Sequence, residues 1–249
     1  MKKLFYGILA SLVSFTRIPV PLTISPESFR DATWHIPLIG WLHAGILTLV
    51  WLYLPVPDDL KYFLILLLPV LLSGGMHEDG LADAADGIFG GHSRERRLQI
   101  MKDPLVGSYG VLSIVLYVLG YYLALKNIPG ESMVKTLCIA LPLSRLVAPL
   151  LVSALPYVRT KQEESRAIAY LGSERGNASW SILWVLPVVS LVRGDELGIG
   201  LVLGFILSGL GLGLLFRKKL GGITGDCLGA AIKVTELVLI WIVALHFPQ

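Results

Sequence analysis

The strongest constraint on this chain is a series of seven long apolar stretches, at residues 36–54, 60–76, 106–125, 134–155, 178–192, 197–216 and 228–247. A helix needs about 20 mostly apolar residues to cross about 30 Å of hydrocarbon. Inside lipid, every backbone polar group must find its partner within the protein, and a helix does this within its own segment. The expected fold is therefore all-α: a polytopic membrane bundle of about seven transmembrane helices, with a range of six to eight. The second and fifth stretches are short, and each carries a proline, Pro69 and Pro187. Both are candidates for broken or re-entrant helices. Composition agrees, since 54% of the 249 residues are hydrophobic and 16% are charged, against about 25% charged in ordinary soluble domains. The whole chain, 1–249, reads as one membrane-embedded domain.

The loops test the helix count. With the N-terminus inside, the inner segments carry Lys2, Lys3, Arg17 and Arg30, then Arg94, Arg96, Arg97 and Lys102. Further on they carry Arg159, Lys161, Arg166 and Arg175, and finally Arg217, Lys218 and Lys219. The outer loops hold only Lys61, Lys126, Lys135 and Arg193. That excess of inner cations is what the positive-inside rule requires. It supports seven spans with the C-terminus outside.

Several function classes recede. The net charge of +3 is dispersed, with no basic stripe of the kind that marks nucleic-acid binders. Cys138 and Cys227 have no metal-ligand spacing and do not suggest a disulfide framework. Lys2 and Lys3 precede an apolar run to Phe15 that resembles a signal peptide. The following Thr16-Arg17-Ile18-Pro19-Val20-Pro21 lacks a small-x-small cleavage pattern, so the arm reads as a retained amphipathic or re-entrant segment. No paired repeat of broken helices is visible, which argues against a transporter.

Acidic chemistry concentrates in one place. Of the 18 acids, Glu78, Asp79, Asp83, Asp86, Glu95 and Asp103 lie in a single inner segment. Asp79, Asp83 and Asp86 stand at i, i+4 and i+7, which places them on one face of a helix. Three carboxylates on one face repel one another and call for a cation. Hard oxygen donors suit Mg²⁺, which takes one or two carboxylates together with substrate phosphate oxygens. Ala82, Ala84 and Ala85 keep the surrounding surface small, and Gly80 and Gly87 permit close backbone approach. Glu78 points about 100° from Asp79 on such a helix, and His77 points to the opposite side. The competing reading is a solvated acidic face, but that pattern favours mixed signs rather than three acids separated by alanines.

Cations follow at once, in Arg94, Arg96, Arg97 and Lys102. A metal site beside a cationic site is the arrangement phosphoryl transfer uses, although the positive-inside signal alone also calls for basic residues here. Asp103 either completes the metal shell or pairs with Lys102. Arg145 stands inside an apolar stretch, where a charge costs about 2.5–3.5 kcal/mol on insertion scales. Its partner is either an anionic substrate group or a buried acid. Gly221-Gly222-Ile223-Thr224-Gly225-Asp226 precedes a helix start, where glycine-rich backbone can cradle phosphate; Asp226 reads equally well as an N-cap.

Taken together, these residues resemble a known family. Met76-His77-Glu78-Asp79-Gly80-Leu81-Ala82-Asp83-Ala84-Ala85-Asp86-Gly87 is similar to the His-x-Asp-Gly-Leu-Ala-Asp-x-x-Asp-Gly motif of the cobalamin synthases, the adenosylcobinamide-GDP ribazoletransferases. Phe15 to Pro21, Ile100-Met101-Lys102-Asp103, Gly107-Ser108-Tyr109-Gly110, Ser144-Arg145 and Gly221 to Ala230 extend the similarity over nearly the whole chain. The resemblance implies an enzyme of the prokaryotic cytoplasmic membrane, multi-pass, Mg²⁺-dependent, with its active-site loop on the cytoplasmic side. Its substrates are adenosylcobinamide-GDP and α-ribazole or its 5′-phosphate. Its products are adenosylcobalamin (or its 5′-phosphate) and GMP, the last assembly of the nucleotide loop. Its partners are these substrates and membrane lipid, with room for a homo-oligomer. The implied metal ligands are Asp79, Asp83 and Asp86. Arg17, Arg97, Lys102, Arg145 and Gly225 contact phosphate, and Asp103 or Asp226, with His77 as a weaker candidate, accepts the proton. Two alternatives stay open. A CDP-alcohol phosphotransferase shares the Asp-Gly-x-x-Ala opening but continues with Arg where this chain has Asp83. A cation transporter uses acids in mid-span rather than at a loop edge.

Overall fold

The computed structural model describes residues 2–159, 178–192 and 196–247. The helices are α1 (Lys2–Phe15), α2 (Ile36–Tyr53), α3 (Asp58–Ser73), α4 (Met76–Gly90), α5 (Arg94–Ile100), α6 (Ser108–Lys126), α7 (Gly130–Ala154), α8 (Ala178–Val192), α9 (Glu196–Leu220) and α10 (Gly225–His246), with a 3-10 helix at Pro26–His35 leading into α2. Among the described residues there is no strand, only one isolated parallel bridge between Tyr157 and Ile223.

The all-α membrane bundle is as expected; its upper count of six spans among the described residues meets the lower end of the expected six to eight and is short of the seven that the loops favour. Among the described residues, five helices are long and apolar enough to cross a membrane, or six when α3 and α4 are taken as one bent unit. The difference has two causes. The apolar part of α8 is short. The stretch around 60–76 ends abruptly, because Gly74 and Gly75 both adopt positive φ, 70° and 75°, a conformation open to glycine at little cost. The chain turns there by 90°. The break therefore falls at the glycine pair, and Pro69 sits inside α3.

α7 and α10 form the centre. Two-thirds of the apolar window of each is buried, against 17% for α9, whose Val202, Leu203, Ile206, Leu207, Leu210 and Leu214 face outward as a lipid-facing helix requires. Small residues set the close contacts, a recurrent device in membranes. A Cβ at Gly40 of α2 would stand 2.5 Å from Pro142 Cα of α7.

The two ends of the bundle differ in chemistry. At one end Lys126 and Tyr122 meet Asp59 at 3.1 and 2.9 Å, Lys61 meets Asp58 at 3.2 Å, and Trp51 donates to Gly130 O. The other, cation-rich end gathers the 91–107 segment, the 156–159 segment and the α9–α10 turn. Arg94 Nε donates to Leu220 O at 2.7 Å, and Val158 N to Ile223 O at 3.0 Å. α3 runs from the first end to the second. α4 then stays at the second, touching the start of α10 near Gly80 and the start of α6 near Asp86. It is a cross-piece over the end of the bundle. Lys161, Arg166, Arg175 and Arg193 lie outside the described residues.

Candidate active site

α4 is held against α10 by glycine. A Cβ at Gly80 would lie 2.9 Å from Asp226 O, and one at Gly229 would lie 3.2 Å from His77 O. The two backbones touch, so the acidic face of α4 is brought to the N-terminus of α10. Along that face exposure falls: Asp79 is exposed, Asp83 half-buried and Asp86 buried. Around Asp83, the carboxylates of Asp226, Asp79 and Asp86 and the guanidinium of Arg159 all lie within electrostatic range.

Asp86 has a task of its own. Its Oδ2 accepts from Gly107 N at 2.7 Å and its Oδ1 from Gly110 N at 2.8 Å. The two glycines leave room for the carboxylate at the start of α6, where helix N–H groups and the dipole favour an anion. Asp86 thereby ties the α5–α6 segment to α4.

Asp226 opens α10. Thr224 is the N-cap, its Oγ1 accepting from Cys227 N at 3.3 Å, and the same hydroxyl donates to Asp226 Oδ2 at 3.2 Å. Arg159 Nη2 forms an ion pair with that oxygen at 2.5 Å and also reaches Met101 O at 3.3 Å. What brings Arg159 here is backbone pairing: Ile223 N donates to Pro156 O at 2.9 Å, in the space Gly222 leaves by having no side chain. The glycine-rich turn thus serves as a dock for residues 156–158.

Two clefts open on this site. One, of about 710 Å³, lies between the end of α1 and the α3–α4 turn, lined by Arg17, Gly74, Gly75, Glu78, Asp79 and Ala82 among others. The second, of about 240 Å³, includes Phe15, His77, Asp79, Arg159, Gly225 and Asp226. Asp79 faces both.

The arrangement sorts the expected residues. Asp79, Asp83, Asp226, Gly225 and His77 come together, and Arg17 joins them through the larger cleft. Lys102 and Asp103 are exposed on the segment after α5, and Asp103 Oδ1 accepts from Leu105 N at 3.0 Å. Arg97 is engaged elsewhere: its Nε and Nη1 donate to Ile88 O and Lys219 O, closing the ends of α4 and α9. Of the two partners open to Arg145, the structure has the buried acid. Arg145 is fully buried, and its Nη1 donates to Glu236 Oε2 at 3.0 Å and to Leu141 O at 2.7 Å. Its Nη2 donates to His43 Nδ1 at 3.0 Å, which puts the proton of that ring on Nε2.

Residues 7–244 match the family model described as CobS: Cobalamin-5-phosphate synthase. The chain belongs to this family. Among curated proteins named adenosylcobinamide-GDP ribazoletransferase, one from Vibrio cholerae is 36% identical over 245 residues, covering 94% of this chain and 91% of its own. One from Pseudoalteromonas atlantica is 33% identical over 254 residues, covering 98% and 93%. One from Prosthecochloris aestuarii is 35% identical over 248 residues, covering 96% and 97%. No solved structure matches the chain.

Two features of this cobalamin-5-phosphate synthase family member escaped the sequence reading. Arg159 counted there only as one more inner cation, because its partner Asp226 is 67 positions away. Glu236 had a detectable signal: an acid inside an apolar stretch needs a partner. It anchors a buried group in which Lys233 bridges Glu236 at 3.4 Å and Glu78 at 2.9 Å. Tyr117 donates to Glu236 Oε1 at 3.2 Å.

Proposed function

We propose that this chain is a membrane-embedded adenosylcobinamide-GDP ribazoletransferase, joining the cobinamide-phosphate group to α-ribazole or its 5′-phosphate. Family membership supports the reaction class. The observation that carries the site assignment is the contact of Gly80 with the Asp226 backbone, which sets Asp79 and Asp83 beside Asp226 and Arg159 where two clefts meet.

The step is a displacement at phosphorus. A ribose hydroxyl oxygen bonds to the phosphorus on the cobinamide side of the diphosphate. The bond from that phosphorus to the bridging oxygen breaks, and GMP leaves with the electron pair. The hydroxyl proton passes to a carboxylate. We assign this role to Asp226, a reading supported by its place in the lining of the smaller cleft and by Arg159 and Thr224 holding its Oδ2. Arg159 and Arg17 offset phosphate charge from the two clefts. Catalysis of this kind rests mainly on positioning and charge stabilisation.

Among the described residues, no group of three or more His, Cys, Asp or Glu side chains is gathered to hold a metal by itself. The donor set nevertheless fits Mg²⁺, which binds through one or two carboxylates plus substrate phosphates and keeps several waters. Asp79 and Asp83 are the residues we assign to it, with Asp86 engaged by Gly107 and Gly110. When bound, the ion would neutralise diphosphate charge. The site end faces the cytoplasm in this reading, consistent with the excess of cations there.

The test is GMP release from a GDP-activated corrinoid by membranes holding the protein, with α-ribazole supplied. Asp79→Asn and Asp83→Asn should each lose about 10²-fold or more in turnover. Near-wild-type rates in both would overturn the site assignment. Absence of any GMP release by the wild type would overturn the function and leave the two rival classes.

A further inference from the structure

The first turn of α4 carries Asp79, and little in the turn itself fixes it. It follows two glycines at positive φ, and its N-cap is the second of them, Gly75, which has no side chain to close the helix. The rotation of this turn about the helix axis decides where Asp79 points. Side chains reach about 5–6 Å from the axis, so a rotation of about 10° moves a carboxylate by about 1 Å. A shift of that size can cost about 10²-fold in rate.

What grips the turn is a stripe on α10. Gly229, Lys233 and Glu236 stand at i, i+4 and i+7, on one face of that helix. Gly229 receives the His77 backbone, since a Cβ there would lie 3.2 Å from both His77 Cα and His77 O. One turn on, Lys233 Nζ meets Glu78 Oε1 at 2.9 Å. Beyond it, Glu236 takes Arg145 at 3.0 Å. Lys233 is 3% exposed and braced from two other sides: its Nζ reaches Glu236 Oε1 at 3.4 Å and stands 5.0 Å from the centre of the Tyr117 ring. The ammonium therefore has little freedom to follow Glu78 if Glu78 moves. Glu78 is a boundary residue. It lines the larger cleft beside Asp79, yet its Oε1 is committed to the ion pair and only 16% of its side chain is exposed.

We infer that Glu78 and Lys233 are positioning residues, whose ion pair sets the rotation of the first turn of α4 and so aims Asp79 into the clefts. Neither touches the reacting groups. The outermost member of the buried ion group is thus the chain neighbour of an acid of the proposed site. A pair kept for stability alone can be replaced by two apolar side chains at little loss. A pair that aims its neighbour cannot, because apolar side chains pack without the directional grip of an ion pair. The effect on turnover rests on the proposed site and reaction; the tie between the two helices does not.

The experiment compares the wild type with Glu78→Asp, Glu78→Gln and Glu78→Leu/Lys233→Met, all full-length in detergent. Glu78→Gln leaves Lys233 and Arg145 to share Glu236, and should lower both melting temperature and turnover. The double variant keeps the Arg145–Glu236 pair and strands no charge, so its melting temperature should lie within about 5 °C of the wild type. Its kcat for GMP release should still fall at least about tenfold, with KM for the GDP-activated corrinoid within about threefold. Amide exchange at residues 76–80 should quicken while α10 keeps its protection. Glu78→Asp keeps the charge but withdraws it by one methylene from a lysine that cannot follow, and should slow turnover about tenfold at a nearly unchanged melting temperature. Turnover restored along with melting temperature in the double variant, a wild-type rate in Glu78→Asp, or unchanged exchange at residues 76–80 would each overturn the inference. So would a raised KM at unchanged kcat, which would make Glu78 a substrate contact. Exchange that responds as expected, without any GMP release by the wild type, would overturn the proposed reaction and leave the tie standing.

Discussion

The buried ion group offers the sharpest test of how this bundle is held together. Arg145 and Lys233 carry two positive charges, and Glu78 and Glu236 two negative ones, in a region where Arg145 and Glu236 are 0% and 1% exposed. The group is neutral as a whole. Glu236→Gln keeps size and shape and removes one negative charge, leaving Arg145 with Leu141 O, Ser144 and a neutral imidazole for company. Removing one partner of a buried pair costs about 3–5 kcal/mol, a large fraction of the usual 5–15 kcal/mol of net stability of soluble domains. Arg145→Met should cost a similar amount, because it leaves two buried carboxylates, Glu236 and Glu78, to share the single charge of Lys233, with only the Tyr117 hydroxyl added on Glu236. The double variant Arg145→Met/Glu236→Met leaves the Lys233–Glu78 pair at 2.9 Å intact and strands no charge. Its loss should therefore be far smaller than the sum of the two singles, since a buried pair replaced by apolar side chains is often close to neutral. The assay is thermal unfolding in detergent followed by monodisperse elution, with all four proteins in parallel. Additive losses, or a Glu236→Gln variant as stable as the wild type, would refute the reasoning.

Three further outcomes follow from the geometry. Asp86→Ala strands the Gly107 and Gly110 N–H groups and should cost about 1–3 kcal/mol for each donor left unpaired; hydrogen exchange at residues 102–110 should quicken before the rest of the bundle responds. Gly80→Ala drives a methyl group against the Asp226 backbone, and turnover should fall by more than tenfold while the ion group keeps the bundle folded, a comparison that circular dichroism and GMP release can make together. Thr224→Ala removes the cap of α10 and one donor to Asp226, which should destabilise by about 0.5–2 kcal/mol and lower transfer further than Cys227→Ala, a change next to the same turn that leaves Asp226 its partners.

Much of this was legible in the chain itself. The apolar stretches specify a helical membrane protein because lipid leaves the backbone few alternatives. The i, i+4, i+7 spacing put Asp79 and Asp83 together, and the glycine of the motif did mark a close backbone approach. The turn at Gly74–Gly75 was less visible, since Pro69 is the louder signal; a proline is tolerated within α3, and it is two consecutive residues at positive φ that redirect the chain. The roles of Arg97 and Arg159 were out of reach. Nothing local distinguishes a guanidinium that closes helix ends from one that faces a carboxylate, and the partners lie in distant segments. His77, read as pointing to the side opposite Asp79, does so: its buried ring lies within electrostatic range of Arg145, Lys233 and Glu236, and its backbone packs against Gly229 of α10.

The crosswise course of α4 would free the proposed site from the thickness of the bilayer. Helices that run through lipid must tilt or stretch the surrounding leaflets when hydrocarbon depth changes, whereas a beam laid over their ends keeps its length in thin and thick membranes alike. In the proposed reaction, corrinoid substrates too bulky to pass between packed helices would arrive from the aqueous side and need no parting of the bundle to reach Asp79 and Asp83.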